Sequence, residues 1–376
     1  MVYLRGYANQ MKFIQTALIV LLGAGSAASS AQTDKRNDVA KDGLKGKVKT
    51  IIITGFAISG TSAEIKKDRV IHKSTNTYNK RGYLTETVST GGVDTVDGEI
   101  IRFKSASIKY HYDDHNNMIG AVSYTANGAI DDSTVYKVDE RGNRIDWFVY
   151  KADGTMAARY VSEYNNHGDL LETNEYANGK LTKRHTYDYN DNYKVSEENE
   201  YEGNGKLKWK EIFKYNSKGQ LTEVTDYSAT GDFESRYVYK YDSKGNITDE
   251  EKYMDENSQA HTKTTTIYDS KGVPTQILQF NEDGKLIYQG SQDSHGNHTL
   301  DMSWNADRSV KEKITQVYKY DDYGNVTFEE RTLTDGQQDM RNNYQYYYDE
   351  NGNWTKKTTL EDGTPSRMVE RVVAYY

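Results

Sequence analysis

The chain has 376 residues, 48 Lys plus Arg against 56 Asp plus Glu, and a formal net charge of −8. That balance argues against nucleic acid as the main partner, because phosphate binding needs clustered cationic side chains. There is no cysteine, which excludes disulfides, thiolate metal sites and a cysteine nucleophile. Mean hydropathy is −0.91, a value that alone favours disorder. The 33 tyrosines reverse that reading, because the Tyr ring can be buried and favours strands. Only Pro274 and Pro365 interrupt an otherwise proline-free chain, so long stretches are free to pair in sheets.

From Met11 the sequence runs through one lysine, an apolar stretch from Phe13 to Leu22, and small residues ending Ser29-Ser30-Ala31. This order predicts a secretory signal peptide over 1–31, starting at Met11 and cleaved after Ala31. Its apolar run is too short for a permanent span. The protein is therefore expected outside the cytoplasm, in a bacterial periplasm, at the cell surface or beyond, with no membrane-spanning segment after cleavage. Residues 32–75 read as a charged leader followed by a first strand, "KVKTIIITGFAI" at 47–58. Residues 89–99 hold Gly91, Gly92 and Gly98 and read as a loop insertion.

From 76 to 376 one pattern repeats. "FKYNSKGQL", "YKYDSKGNI", "YKYDDYGNV" and "YYYDENGNW" begin at 213, 239, 318 and 346. Aligned on the Tyr, the positions are 78, 112, 138, 164, 189, 215, 241, 268, 292, 320 and 348; each is followed by Asp or Asn. A glycine stands three residues after that acid or amide in nine of the eleven. A sustained period near 26 residues marks a repeat architecture. A second Asn-Gly or Asp-Gly, such as Asn127-Gly128, Asn204-Gly205 and Asp362-Gly363, falls inside most units. These pairs are strong hairpin signals. Each unit thus reads strand, turn, strand, turn. The Asp caps its own turn and Gly supplies a positive φ.

Period-two patterning places Leu207, Trp209, Glu211, Phe213 and Tyr215 on one face, with Lys208, Lys210, Ile212 and Lys214 on the other. The same parity groups Phe233 with Tyr237, Tyr239 and Tyr241, and Met156 with Ala158, Tyr160 and Tyr164. On outgoing strands it joins Leu221 to Tyr227, Ile247 to Tyr253 and Leu170 to Tyr176. The expected fold is all-β: an antiparallel β-hairpin (meander) repeat array of about 11 units of about 26 residues. Strand twist should curve it into a bent or spiralling sheet with a Tyr-rich inner face.

The motif residues resemble the YD repeat of RHS-type proteins over residues 76–376. In that family hairpin units form a strip that can wind into a hollow shell, and some members bind carbohydrate or carry a toxin. Relative to the large members, this chain is expected to have few units, no core-boundary motif after the repeats and no C-terminal effector domain. Short aromatic repeats of choline- and glucan-binding proteins are also similar, with a shorter unit.

No catalytic motif occurs, and the histidine pairs His111/His115 and His295/His298 lack a third ligand. No catalytic residue, metal site or cofactor is expected. A transmembrane barrel is disfavoured because Ser162, Glu211 and Ser235 interrupt the aromatic face. The favoured reading is an exported, non-catalytic binding protein with a glycan or cell-envelope ligand, through Trp147, Trp209, Trp304 and Trp354 as stacking platforms. The alternative is a structural scaffold, or a remnant of an RHS-type toxin system, that binds protein partners. At the C-terminal end, "SRMVERVVAYY" reads as the incoming strand of a further unit ending at Tyr376. It is expected to pair with the strand after Gly352, form the last edge, and turn Met368, Glu370, Val372, Ala374 and Tyr376 inward.

Overall fold

The computed structural model describes residues 37–96, 99–103, 105–256 and 258–376. The expected signal peptide lies outside them. Among the described residues, one short helix, α1 (Asp38–Lys41), precedes the sheet, capped by the Asn37 side chain. The strands that follow are β1 (Val48–Gly60), β2 (Ile65–Tyr78), β3 (Leu84–Thr90), β4 (Gly92–Val96), β5 (Glu99–Phe103), β6 (Ala106–Tyr112) and β7 (Met118–Thr125). Next come β8 (Ile130–Val138), β9 (Arg144–Lys151), β10 (Met156–Tyr164), β11 (Leu170–Ala177), β12 (Lys180–Tyr189) and β13 (Val195–Glu202). The middle of the chain supplies β14 (Leu207–Tyr215), β15 (Leu221–Ser228), β16 (Phe233–Tyr241), β17 (Ile247–Tyr253), β18 (Thr262–Tyr268), β19 (Pro274–Asn281) and β20 (Leu286–Gln292). The last are β21 (His298–Trp304), β22 (Val310–Tyr320), β23 (Val326–Thr332), β24 (Gln338–Tyr348), β25 (Trp354–Glu361) and β26 (Thr364–Tyr375).

All but β4 and β5 join one antiparallel sheet of 24 strands, each paired with its neighbours in sequence. The sheet closes on itself, because β1 pairs with β2 on one side and with β26 on the other. It is a closed meander barrel. Residues 48–60 and 65–75, ahead of the repeats, are thus part of the same wall. The expected loop at 89–99 is instead largely the separate β4–β5 hairpin, inserted between β3 and β6.

Closure corrects the expectation of a terminal edge. Strand β26 does pair with β25, but its other side is covered by β1. Its parity is also the reverse of the expected one for its last residues. Val372 is 63% exposed and Tyr376 48% exposed, while Val373 and Tyr375 pack against the apolar cluster of Val39, Leu44, Val48, Ile51 and Tyr78.

The reason for the reversal recurs throughout the wall. In the turn Asp242–Asn246, the Asp242 N–H donates to the Asn246 carbonyl and Gly245 N–H to the Asp242 carbonyl. Gly245 has a φ of 94°. This is a turn closed by a left-handed residue, and it leaves one extra residue on the outgoing strand. Lys240 therefore pairs with Asp249 but Tyr241 with Ile247. The second turns shift in the same way, as in Asp226 with Ser235 but Tyr227 with Phe233. A one-residue shift moves a side chain to the other face. Tyr176, Tyr227 and Tyr253 thus lie opposite Arg159, Lys210 and Arg236, away from the motif tyrosines. Met156, Leu207 and Phe233 follow them, paired with Tyr150, Tyr201 and Tyr227. The tyrosine face is carried by residues such as Tyr160, Tyr187, Tyr237 and Tyr239. On the opposite face rings meet cations, with Arg184 4.4 Å from the Tyr201 ring and Arg236 4.4 Å from that of Tyr253.

The motif tyrosine ties each unit to the one before. The hydroxyls of Tyr112, Tyr189, Tyr215 and Tyr241 donate to the carbonyls of Leu84, Leu170, Val195 and Leu221 at 2.5–2.8 Å. In the last units the acceptor is the preceding turn aspartate: Tyr320 to Asp293, Tyr348 to Asp321, and Tyr375 to Asp349. The motif asparagine joins in, with Asn297, Asn325 and Asn353 donating to those same hydroxyls at 2.6–2.7 Å. The position of Tyr375 in this ladder shows that it, and not Tyr376, is the register equivalent of the motif tyrosine.

Where β26 meets β1 no hairpin turn exists, and residues 37–47 fill the place. Lys45 exchanges main-chain hydrogen bonds with the Asn353 side chain at 2.8 and 2.9 Å. Asn37 sits against Gly82, where a Cβ would lie 2.4 Å from its Nδ2. Asn117 sits against Gly142 in the same manner.

Two predictions follow from the turns. Gly142 has a φ of 85°, and an added Cβ would lie 2.6 Å from Asn117 Oδ1. Gly142→Ala should destabilise the fold by roughly 1–2 kcal/mol, read as a lower Tm. Arg308 holds a φ of 68° at a position where most units have glycine. Arg308→Gly should raise Tm, by roughly 0.5–1 kcal/mol of stability. Closure makes a third: deleting 366–376 exposes the edges of both β1 and β25, so Tm should fall and aggregation rise in light scattering. An unchanged Tm and scattering would refute the closed wall.

Candidate functional site

The four tryptophans are half-buried and stand on separate strands: Trp147 on β9, Trp209 on β14, Trp304 on β21 and Trp354 on β25. At about 4.8 Å per strand, neighbours in this series are roughly 19–34 Å apart along the wall. The structure does not bring them together as one platform. Trp147 is stacked on Tyr160, with centroids 4.6 Å apart. Trp354 lies beneath the Arg371 guanidinium at 3.7 Å and edge-on to Tyr346 at 6.2 Å. Trp304 closes β21, opposed by Val310 at a bulge.

Trp209 has the most polar surroundings. Its indole N–H donates to Glu200 Oε2 at 3.0 Å, and Lys208 donates to Glu200 Oε1 at 2.6 Å. His185 lies 3.6 Å from the same carboxylate, with its ring edge-on to the indole at 6.1 Å. Burial pushes the Glu200 carboxyl up, but the bonds from Lys208 and Trp209 outweigh it and hold it below its ordinary value. Burial pulls His185 below its ordinary value. Register explains the grouping, since His185, Glu200 and Trp209 face each other across β12, β13 and β14.

The adjacent row on the same face is Tyr187, Glu198, Glu211, Asp226 and Ser235, each paired with the next. Burial raises Glu211 most, with Asp226 and Glu198 adding to it, to about 7. Glu198 is also raised by burial, against a hydrogen bond from Tyr187. Sequence parity shows a polar residue in the middle of each aromatic strand; only register shows that three carboxylates stand in line.

Among the described residues, no group of three or more His, Asp or Glu is placed to hold a metal ion. The second histidine pair is engaged elsewhere: the His295 ring lies on Tyr320 at 3.7 Å, and His298 Nδ1 is 3.0 Å from Asp301 Oδ1. An open depression of about 420 Å³ lies beside Asp139, Arg141, Ser162 and Tyr164, and another of about 430 Å³ beside Lys263, Thr265 and Phe280. Neither is lined by a tryptophan. No helix among the described residues is long and apolar enough to cross a membrane.

No protein-family model matches the chain, and no curated protein matches it. Solved structures similar to it include the complex titled TcdB2-TccC3-Cdc42, at 12% identity and a TM-score of 0.29, covering 79% of this chain and 19% of that one. A porin-like protein from Bacteroides uniformis ATCC 8492 is 13% identical with a TM-score of 0.23, covering 88% of this chain and 99% of that one. One from Bacteroides vulgatus ATCC 8482 is 10% identical with a TM-score of 0.18, covering 76% and 98%. The chain spans about a fifth of the length of the TcdB2-TccC3 chain it matches. Likenesses at these scores carry no functional argument, which rests on the chain's own residues.

Proposed function

We propose that this protein is an exported, non-catalytic β-barrel that serves as an interaction scaffold and binds partners through the faces of its wall. The observation that supports this most is closure. The sheet has no free strand edge, since β1 is covered on both sides. Edge-strand addition, the common route by which sheets capture extended peptides, is not offered by the closed wall. What remains for recognition is the side-chain surface. On the opposite face it alternates cations and rings with exposed apolar residues such as Val135, Val317 and Tyr347, which are 46%, 53% and 55% exposed. Such a mixture of aromatic, cationic and apolar groups suits a protein partner.

A glycan is the second reading, favoured by the surroundings of Trp209. The indole is fixed by Glu200, and carboxylate, lysine and histidine groups stand around it. A fixed aromatic ring with polar neighbours suits stacking on a sugar ring and hydrogen bonding to its hydroxyls. In-situ crosslinking of the full chain in its native envelope, with mass spectrometry, tests the first reading: crosslinks to one protein from residues around 317 and 347, on the nearby strands β22 and β24, are expected. A glycan array tests the second. Binding lost in Trp209→Ala, with Tm changed by no more than the loss of one hydrogen bond, roughly 1–2 kcal/mol, would favour a glycan ligand. Crosslinks to no protein, together with such binding, would overturn the scaffold reading.

A further inference from the structure

The carboxylate row on β13–β15 has no role in the proposed scaffold. Glu198 stands directly opposite Glu211, and Glu211 opposite Asp226. Directly opposed side chains on one face of an antiparallel pair have Cβ atoms about 5 Å apart, and like charges there repel. Glu198 is 4% exposed. The Oε2 atoms of both Glu198 and Glu211 are buried without a hydrogen-bond partner. Asp226 accepts from the Ser235 hydroxyl at the far end of the row.

Cations nearby are engaged elsewhere. Lys208 goes to Glu200 at 2.6 Å, Lys214 to Glu223 at 2.6 Å and Lys210 to Glu197 at 3.9 Å. Lys252 lies over the Tyr237 ring at 5.3 Å and Arg236 over Tyr253 at 4.4 Å. The groups facing the row from its own strands and neighbours are Tyr187 and His185 on β12, Glu200 on β13, Trp209 and Phe213 on β14, Val224 on β15 and Tyr237 on β16. Glu250 and Lys252 follow on β17. None brings a positive charge to the unpartnered oxygens. Glu198 accepts from Tyr187 and Glu211 is bonded to Asp226, yet each keeps one buried oxygen unpartnered; opposed, buried carboxyls of this kind are stable only when protons are held between them.

We infer that the Glu198–Glu211 pair, with Asp226 beside it, is a proton-loaded clasp: protons held on the two glutamates keep β13, β14 and β15 together, and their loss in base loosens this arc of the wall. The direction of the effect follows from the raised carboxyl. Glu211 titrates at about 7 in the fold against an ordinary 4.5. Its contribution is fully present below about pH 4.5, is lost as pH rises through about 7, and is constant above. His185 acts with opposite sign, because burial disfavours its charged form in acid. The difference between wild type and Glu211→Gln is therefore the readout, the amide standing in for the protonated carboxyl.

The test is hydrogen exchange and thermal melting of the full chain between pH 5 and pH 8. For wild type, the opening equilibrium of β13–β15, relative to β7–β9, should rise ten- to hundredfold from pH 5 to pH 8 after correction for intrinsic exchange. In Glu211→Gln that rise should be absent, while Glu250→Gln, outside the row, should keep it. An unchanged pH dependence in Glu211→Gln overturns the inference, as does a wild type with no excess opening in β13–β15. If Glu211→Gln does not fold, infrared spectroscopy of wild type at pH 6 decides: a protonated-carboxyl C=O band that disappears by pH 9 supports the clasp, and its absence overturns it.

Discussion

The left-handed residue that ends most of the turns is the constraint on which this molecule depends. It lets the chain reverse in a few residues, and it leaves one extra residue on one strand of the hairpin. Bulges increase the local twist and bend the strand that carries them. They occur at both ends of the repeat unit, as at Lys240/Tyr241 and at Asp226/Tyr227. A sheet bent at most of its hairpins curls progressively, and here it curls until β26 reaches β1. Where glycine is missing from the motif, the conformation persists. Asn116 and Tyr193 stand at the two exceptional positions with φ of 65° and 56°, at the cost of a strained backbone.

Lateral cohesion comes largely from polar contacts. The centre of the tyrosine face is occupied by buried Thr134, Ser162, Glu198, Glu200, Ser235, Gln316 and Asn342. The compact apolar cluster lies instead at the seam, around Ile51 and Tyr78. The tyrosines serve both needs. Their rings cover polar neighbours, and their hydroxyls bond back to the preceding unit. Burial and, at Tyr320, the adjacent Asp293 raise the phenol to about 12, so it keeps its proton and remains a donor. The seam repeats this chemistry without a hairpin, through Lys45, Asn353 and Tyr375.

Such a wall spreads its chemistry around a circumference. Four tryptophans on four distant strands cannot form one pocket, and their spacing in space depends on strand order that no local pattern reveals. The carboxylate row shows the reverse case. Glu198, Glu211 and Asp226 are unremarkable as isolated acids in three strands. They become one electrostatic unit only because two bulged turns set the register that aligns them.

The local rules are legible in the chain alone: all-β character, eleven motif turns, the need for positive φ at their glycines, and the alternation of rings and charges. These follow from backbone sterics and side-chain period, which act within a few residues. The faces assigned to Tyr176, Tyr227, Tyr253 and the terminal strand were decided by bulges, whose extra residue shifts parity and is visible only in paired strands. Closure, the seam formed by residues 37–47, and the alignment of the three carboxylates were decided by tertiary structure alone. They depend on twist accumulated over 24 strands and on contacts such as Asn353 to Lys45, 308 residues apart. No short-range pattern encodes a sum of that kind.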